Sequence, residues 1–144
     1  MKQVKETTKE KAGVIAYKYT KKHKNGKEPL VLLVTARKVK GAWVFPVGGV
    51  DKGESRKAAA RRECEEESGY CVEIEKKLTP IEFSPDGRII RFTFYLATVV
   101  NTTENWETDR TREWFPLSEA TDRLSDIFHG AALEAAQHLA KKKR

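Results

Sequence analysis

Arg62, Glu63, Glu66 and Glu67, within the run RRECEEES, are the residues of this chain best placed to do chemistry. On an α-helix, at about 100° per residue, the three glutamates fall within an arc of about 100° and share one face. Like charges three and four residues apart repel by about 0.2–0.5 kcal/mol per pair, so that face calls for a counter-charge. Arg62 supplies one, and a divalent cation is the other candidate. Carboxylate oxygens with no histidine beside them suit Mg²⁺ or Mn²⁺ better than zinc. Such a cation can neutralise a pyrophosphate group, orient it and lower the pKa of a coordinated water, while a neighbouring glutamate acts as general base for attack on phosphorus. Hydrolysis of a phosphoanhydride is the reaction this set favours. Just upstream, Gly48 and Gly49 let backbone approach a metal or phosphate closely, and the Val47 carbonyl ahead of them is a further candidate ligand. Taken alone, a charged run of this kind also describes an ordinary solvated helix face; its combination with the glycine pair favours the chemical reading.

These residues need a glycine-rich loop followed by a helix. Ser55 is a natural N-cap, Ala58, Ala59 and Ala60 have high helix propensity, and Gly69 is a C-terminal stop, which predicts a helix over 55–68. Ala60 and Cys64 flank the acidic face and are small enough for close packing on a sheet. Glu54 stands before the helix, where Arg62 can reach back to pair with it as a scaffold. Short apolar runs predict strands at Gly13–Tyr19, Leu30–Thr35 and Trp43–Phe45. The first two are expected to form a hairpin whose basic tip turns at Asn25-Gly26. Tyr70–Phe83 reads as strand interrupted near Leu78-Thr79-Pro80, Ser84–Gly87 as a turn, Ile89–Val100 as the longest strand, and Arg112–Phe115 as a closing one. Helices are expected at Ser118–Leu124 and Gly130–Lys141. Strands, one helix, more strands and a final helix predict an α/β fold, an α/β/α sandwich around a central mixed sheet.

A chain of 144 residues, 39% hydrophobic and 34% charged, has the size and composition of one solvated globular domain. We expect a flexible basic arm over 1–12, the domain over 13–140 and a basic tail over 141–144. The start of the chain lacks the apolar region of a secretory signal, and no apolar run is long enough to span a bilayer, so the expected setting is the cytoplasm, with the nucleus as a second location. Cys64 and Cys71 form no CxxC pair and read as reduced thiols. Gly48–Tyr70 holds five basic and six acidic residues within a chain of net charge +7, so an acidic pocket sits inside a basic protein. That arrangement suits a metal and a polyanionic ligand. Trp43, Phe92, Phe94 and Trp114 read as core, and only Trp106, in a polar loop, escapes that reading as a base platform or loop anchor.

Gly48, Glu54, Arg62, Glu63, Glu66, Glu67 and Gly69 occupy all seven fixed positions of G-x5-E-x7-R-E-U-x-E-E-x-G-U, with Cys64 and Tyr70 at the bulky apolar U positions. This pattern resembles the Nudix box, and the chain looks like a Nudix hydrolase. The resemblance implies the Nudix α/β/α sandwich and Mg²⁺- or Mn²⁺-dependent hydrolysis of a phosphoanhydride. It also implies that Glu63 and Glu67 bind metal, Glu66 binds metal or acts as base, and Val47 offers its carbonyl, with Glu54, Arg62 and Gly69 structural. Outside the box, Arg37 with Trp43, Arg91, Asn105-Trp106-Glu107 and Arg110–Phe115 make the chain similar to the diphosphoinositol polyphosphate phosphohydrolases, which also cleave diadenosine polyphosphates. Relatives carry a glycine or lysine where this chain has Val47, and often a histidine where it has Ile90. A ring crowded with phosphates needs several fixed cations, so Arg37, Lys38, Lys40, Arg91, Arg110 and Arg112, with the Gly48-Gly49 backbone, are the candidate substrate contacts. The alternatives are a Nudix pyrophosphatase acting on oxidised nucleoside triphosphates or RNA 5′ ends, and a non-catalytic polyanion-binding module. A monomer acting on a small polyphosphate, away from membranes and with nucleic acid not favoured, is the expected working form.

Overall fold

A computed structural model of the chain describes residues 8–19 and 28–142. Eight strands make one mixed sheet: β1 (Thr8–Lys18), β2 (Leu30–Thr35), β3 (Trp43–Val44), β4 (Val47–Gly49), β5 (Tyr70–Lys77), β6 (Ile81–Phe83), β7 (Ile89–Thr102) and β8 (Arg112–Pro116). Helix α1 (Arg56–Ser68) lies between β4 and β5; α2 (Leu117–Arg123), a single 3₁₀ turn at Asp126–Phe128 and α3 (His129–Lys142) close the chain.

β1 organises the sheet because it has partners along both edges. It runs parallel to β7 from Thr8↔Ile89 to Ala16↔Ala97. On its other edge the first half pairs with β4 at Lys11↔Gly49, Ala12↔Gly48 and Gly13↔Val47, and the end pairs with β2 at Tyr17↔Val31 and Lys18↔Leu30. The expected β1–β2 hairpin therefore forms, while its Asn25-Gly26 tip lies outside the described residues. β1 thus splits between two neighbours along this edge.

Strand alternation builds a layer on each face. Ala12, Val14 and Ala16 of β1 join Leu32, Tyr95 and Ala97 beneath Ala59, Ala60 and Cys64 of α1. Ile15 and Tyr17 point the other way with Leu33, Phe92, Phe94 and Leu96, and are covered by Ala131, Ala132, Ala135 and Leu139 of α3. This is the α/β/α sandwich. Phe92 and Phe94 meet Phe128 edge to face at 5.1 and 5.7 Å, and Trp43 meets Phe115 at 5.0 Å, so these aromatics are packed rather than presented. Thr93 Oγ1 is buried without a hydrogen-bond partner among the described residues, an arrangement that costs about 1–3 kcal/mol.

Three expectations are corrected. Residues 8–12, expected in a loose arm, are strand, because β7 and β4 supply the pairing that the polar sequence Thr8-Lys9-Glu10-Lys11 does not itself suggest. Gly48 and Gly49, expected in a loop, belong to β4. Lys141 and Lys142, expected in a free tail, form the last turn of α3, where Lys142 Nζ donates to Glu75 at 2.9 Å and to the Tyr17 hydroxyl at 3.1 Å. Both cysteines are free thiols.

Candidate active site

Helix α1 begins where Ser55 Oγ accepts from the Ala58 N–H at 3.1 Å, and ends where Gly69, at φ 75°, turns left-handed and donates to the Glu65 carbonyl. Its small underside residues let it sit low on β1. That closeness presses the Glu63 carboxyl onto Gly48, where any Cβ would overlap it. Gly48 is required for this contact rather than for a turn.

Arg62 is the hub of the acidic cluster. Its Nε and Nη2 donate to the two Glu54 oxygens at 2.8 and 2.9 Å, and Nη2 also donates to the Gly49 carbonyl at 2.9 Å. Nη1 donates to Glu63 at 2.8 Å and to Glu66 at 3.2 Å. One guanidinium therefore ties the turn before α1, strand β4 and two glutamates of the helix. Its hydrogen bonds hold the Glu54 carboxyl down to about 2, with the Asp51 backbone N–H assisting.

Glu67 differs from its neighbours in being only 3% exposed. It accepts from the Val47 N–H at 3.1 Å, and the Arg110 guanidinium lies 3.9 Å away. Burial first, and the adjacent Glu63 second, push its carboxyl well above the usual range, with Arg110 and the Val47 N–H pulling the other way. Val47 thus meets Glu67 through its N–H, a contact not expected from the sequence. Among the described residues no group of three or more acidic, histidine or cysteine side chains converges as a finished metal cluster, since Arg62 engages Glu63 and Glu66. The donors nevertheless fit a hard divalent cation: a buried, under-neutralised carboxylate, a second carboxylate over a glycine, and oxygen atoms only. Glu66, with its side chain 47% exposed, is the glutamate open to water.

The six basic candidates separate into different roles. Arg110 donates to the Thr35 carbonyl at 2.7 Å and to Glu107 at 2.6 Å, bracing the loop before β8 beside Glu67. Arg112 donates to the Ser68 carbonyl, and its guanidinium lies 4.5 Å from the Tyr70 ring centre and 4.6 Å from that of Trp106. Both arginines hold the structure around the end of α1, and Trp106 is a loop anchor packed over Gly69. Arg91 pairs with Glu82 at 2.6 Å and Glu10 at 3.4 Å, on the α1 face of the sheet. Arg37 forks onto Asp109 with two bonds of 3.1 Å. Lys38 and Lys40 stand exposed on the following loop.

Lys11 was not among the sequence candidates. It lies on β1 opposite Gly49, half-buried, and its ammonium pKa is lowered by burial, then by Lys9 and Lys38, with Glu63 and Glu67 opposing. A half-buried cation on the strand paired with β4 thus feels the field of both the acidic helix and the basic loop. The polar run Lys9-Glu10-Lys11 carried no signal of this, because its strand exists only through tertiary pairing.

The NUDIX domain profile matches residues 9–136, nearly the whole described chain. The chain belongs to the Nudix family. Nudix hydrolase 4 of Arabidopsis thaliana is 38% identical over 130 residues, covering 85% of this chain and 62% of that protein. Human diphosphoinositol polyphosphate phosphohydrolase 3-beta is 35% identical over 98 residues, covering 65% of this chain and 59% of its own length. The chain thus spans about six-tenths of the length of these relatives. Among solved structures, a C. elegans Ap4A hydrolase binary complex superposes with TM-score 0.70 at 20% identity, covering 92% of this chain and 98% of that one. A MutT Nudix hydrolase from Burkholderia pseudomallei gives 0.71 at 24%, covering 90% and 98%. These structural likenesses support the Nudix sandwich. No helix among the described residues is long and apolar enough to cross a membrane.

Proposed function

We propose that this chain is a metal-dependent phosphohydrolase that cleaves phosphoanhydride bonds in diphosphoinositol polyphosphates or diadenosine polyphosphates. The observation that carries this reading is the Arg62-centred arrangement that holds Glu63 over Gly48 beside the buried Glu67. Glu63 and Glu67 would hold Mg²⁺ or Mn²⁺, which would neutralise phosphate charge and make a water more acidic. Glu66 takes the proton from the attacking water, because it is the solvent-exposed glutamate of the three. Glu54 and Arg62 keep the carboxylates in register. Lys11, Lys38 and Lys40, with Arg37 once it exchanges Asp109 for phosphate, attract the polyphosphate chain.

The polyphosphate reading is supported over a base-reading one by the packing of the aromatics. Trp43, Phe92 and Phe94 are packed in the fold, and Trp106 is taken by Arg112, so the described aromatics offer no free stacking platform beside Glu67. The small-molecule substrate and a monomeric enzyme in the cytoplasm or nucleus belong to the same proposal. Phosphate release from diphosphoinositol, diadenosine and nucleoside triphosphate substrates, with Mg²⁺ or with chelator, tests it. Turnover of the first two that requires metal is expected. Turnover of mononucleotides alone would overturn the substrate class, and full activity in chelator would overturn the metal.

A further inference from the structure

The buried Thr93 hydroxyl has no hydrogen-bond partner among the described residues, although buried hydroxyls ordinarily have one. Thr93 lines a cavity of about 500 Å³ whose other walls are Arg56, Lys77, Pro80, Glu82 and Arg91. The cavity lies on the α1 face of the sheet: Arg91 and Thr93 share the strand parity of Tyr95 and Ala97, which pack beneath α1. Lys11 has the opposite parity on β1, that of Ile15 and Tyr17 beneath α3, so the cavity and Lys11 lie on different faces of the sheet.

The charges around it are out of balance. Arg91 binds Glu82, while Glu10 is shared between Arg56 at 3.3 Å and Arg91 at 3.4 Å. Lys77 has no acidic partner among the described residues. Helix α1 starts at Arg56 with no acidic residue in its first turn, so its positive end adds to the same field. Two guanidinium groups, an ammonium and an unpaired hydroxyl surround one polar hollow, and each can donate to an oxyanion.

We propose that this cavity is a second oxyanion site, which takes a phosphate group, free or carried on a small molecule. Arg56, Lys77 and Arg91 supply the charge and Thr93 donates a hydrogen bond to a phosphate oxygen. Glu10 is the counter-ion that the phosphate displaces from the two arginines.

The test is a ¹⁵N NMR titration of the metal-free full chain with inorganic phosphate and with glycerol phosphate, against chloride at matched ionic strength. Saturable shifts centred on Arg56, Lys77, Arg91 and Thr93 are expected with phosphate and not with chloride. Thr93→Val, which keeps the shape and removes the hydroxyl, and Lys77→Gln, a surface change that keeps the fold, should each weaken binding at least fivefold. Both variants should hydrolyse polyphosphate substrate at the wild-type rate. Competition by glycerol phosphate would support a carried phosphate, and binding of inorganic phosphate alone would support the free ion. Shifts confined to Lys9, Lys11 and Lys38, shifts that do not saturate, or unchanged binding in either variant would overturn the site.

Discussion

Arg62 and Arg37 each fork onto a carboxylate, and their surroundings make them opposites. Arg62, with its side chain 29% exposed, joins three glutamates and a strand carbonyl across α1, β4 and the turn between them. Arg37, 50% exposed, ties one surface loop to another through Asp109 and Glu107. Removing a partner from a partly desolvated network leaves charges uncompensated, whereas a pair in water is worth little. The carboxylates of the acidic helix are therefore held by rigid, shared contacts, while Arg37 sits in an exposed pair that another anion can replace. On the proposed function, the carboxylates sit where exchange would be costly and the phosphate-attracting cations where exchange is easy.

The largest effect that would break this contrast comes from Gly48. Gly48→Ala places a methyl group in the Glu63 carboxyl, so a loss of at least about 100-fold in kcat with the fold retained by circular dichroism is expected. Near-normal turnover would mean that Glu63 need not lie where it does. Next, Arg62→Met should destabilise the protein by about 2–3 kcal/mol in urea unfolding, because Glu54, Glu63 and Glu66 lose a common partner. Arg37→Met should leave the unfolding midpoint close to that of wild type in the same measurement. Equal losses would erase the distinction between the two regions.

The same network sets an acid limb. The Glu54 carboxyl is held down to about 2, below its ordinary value of 4.5. Its contribution is therefore fully present above about pH 4.5 and is lost as pH falls toward 2. Thermal melts of wild type and Glu54→Gln should converge as pH is lowered through that window; parallel curves would remove Glu54 from the account. A smaller effect belongs to the rim: Lys11→Gln should raise KM for a polyphosphate substrate about 3–10-fold, with the fold unchanged and the effect shrinking at high salt.

The acidic helix was legible in the sequence because its parts are local. Glu54 to Gly69 spans one turn and one helix, and helical geometry alone puts Arg62 among the carboxylates. The rim was legible in kind but not in use. Arg37 finds Asp109 72 residues away, and Arg110 finds the Thr35 carbonyl 75 residues away, through a sheet whose parallel β1–β7 pairing no local pattern announces. Strand β4 was hidden for the same reason: Gly48 and Gly49 have no strand propensity and are extended because β1 pairs with them. One signal was present and unused. Alternation along Ile90-Arg91-Phe92-Thr93-Phe94 sets Arg91 and Thr93 apart from the aromatic core, on the sheet face that packs beneath α1.

The measurement that tests the central claim most directly is metal-dependent phosphate release by Glu67→Gln, read beside its melting temperature without metal. Glutamine keeps the acceptor for the Val47 N–H, removes the charge that burial disfavours and can no longer hold a cation as a carboxylate. Loss of activity by about 1,000-fold or more, with a metal-free melting temperature at or a few degrees above that of wild type, is the predicted result. Full activity, or a loss of activity explained by unfolding, would contradict the assignment of Glu67 to the reaction.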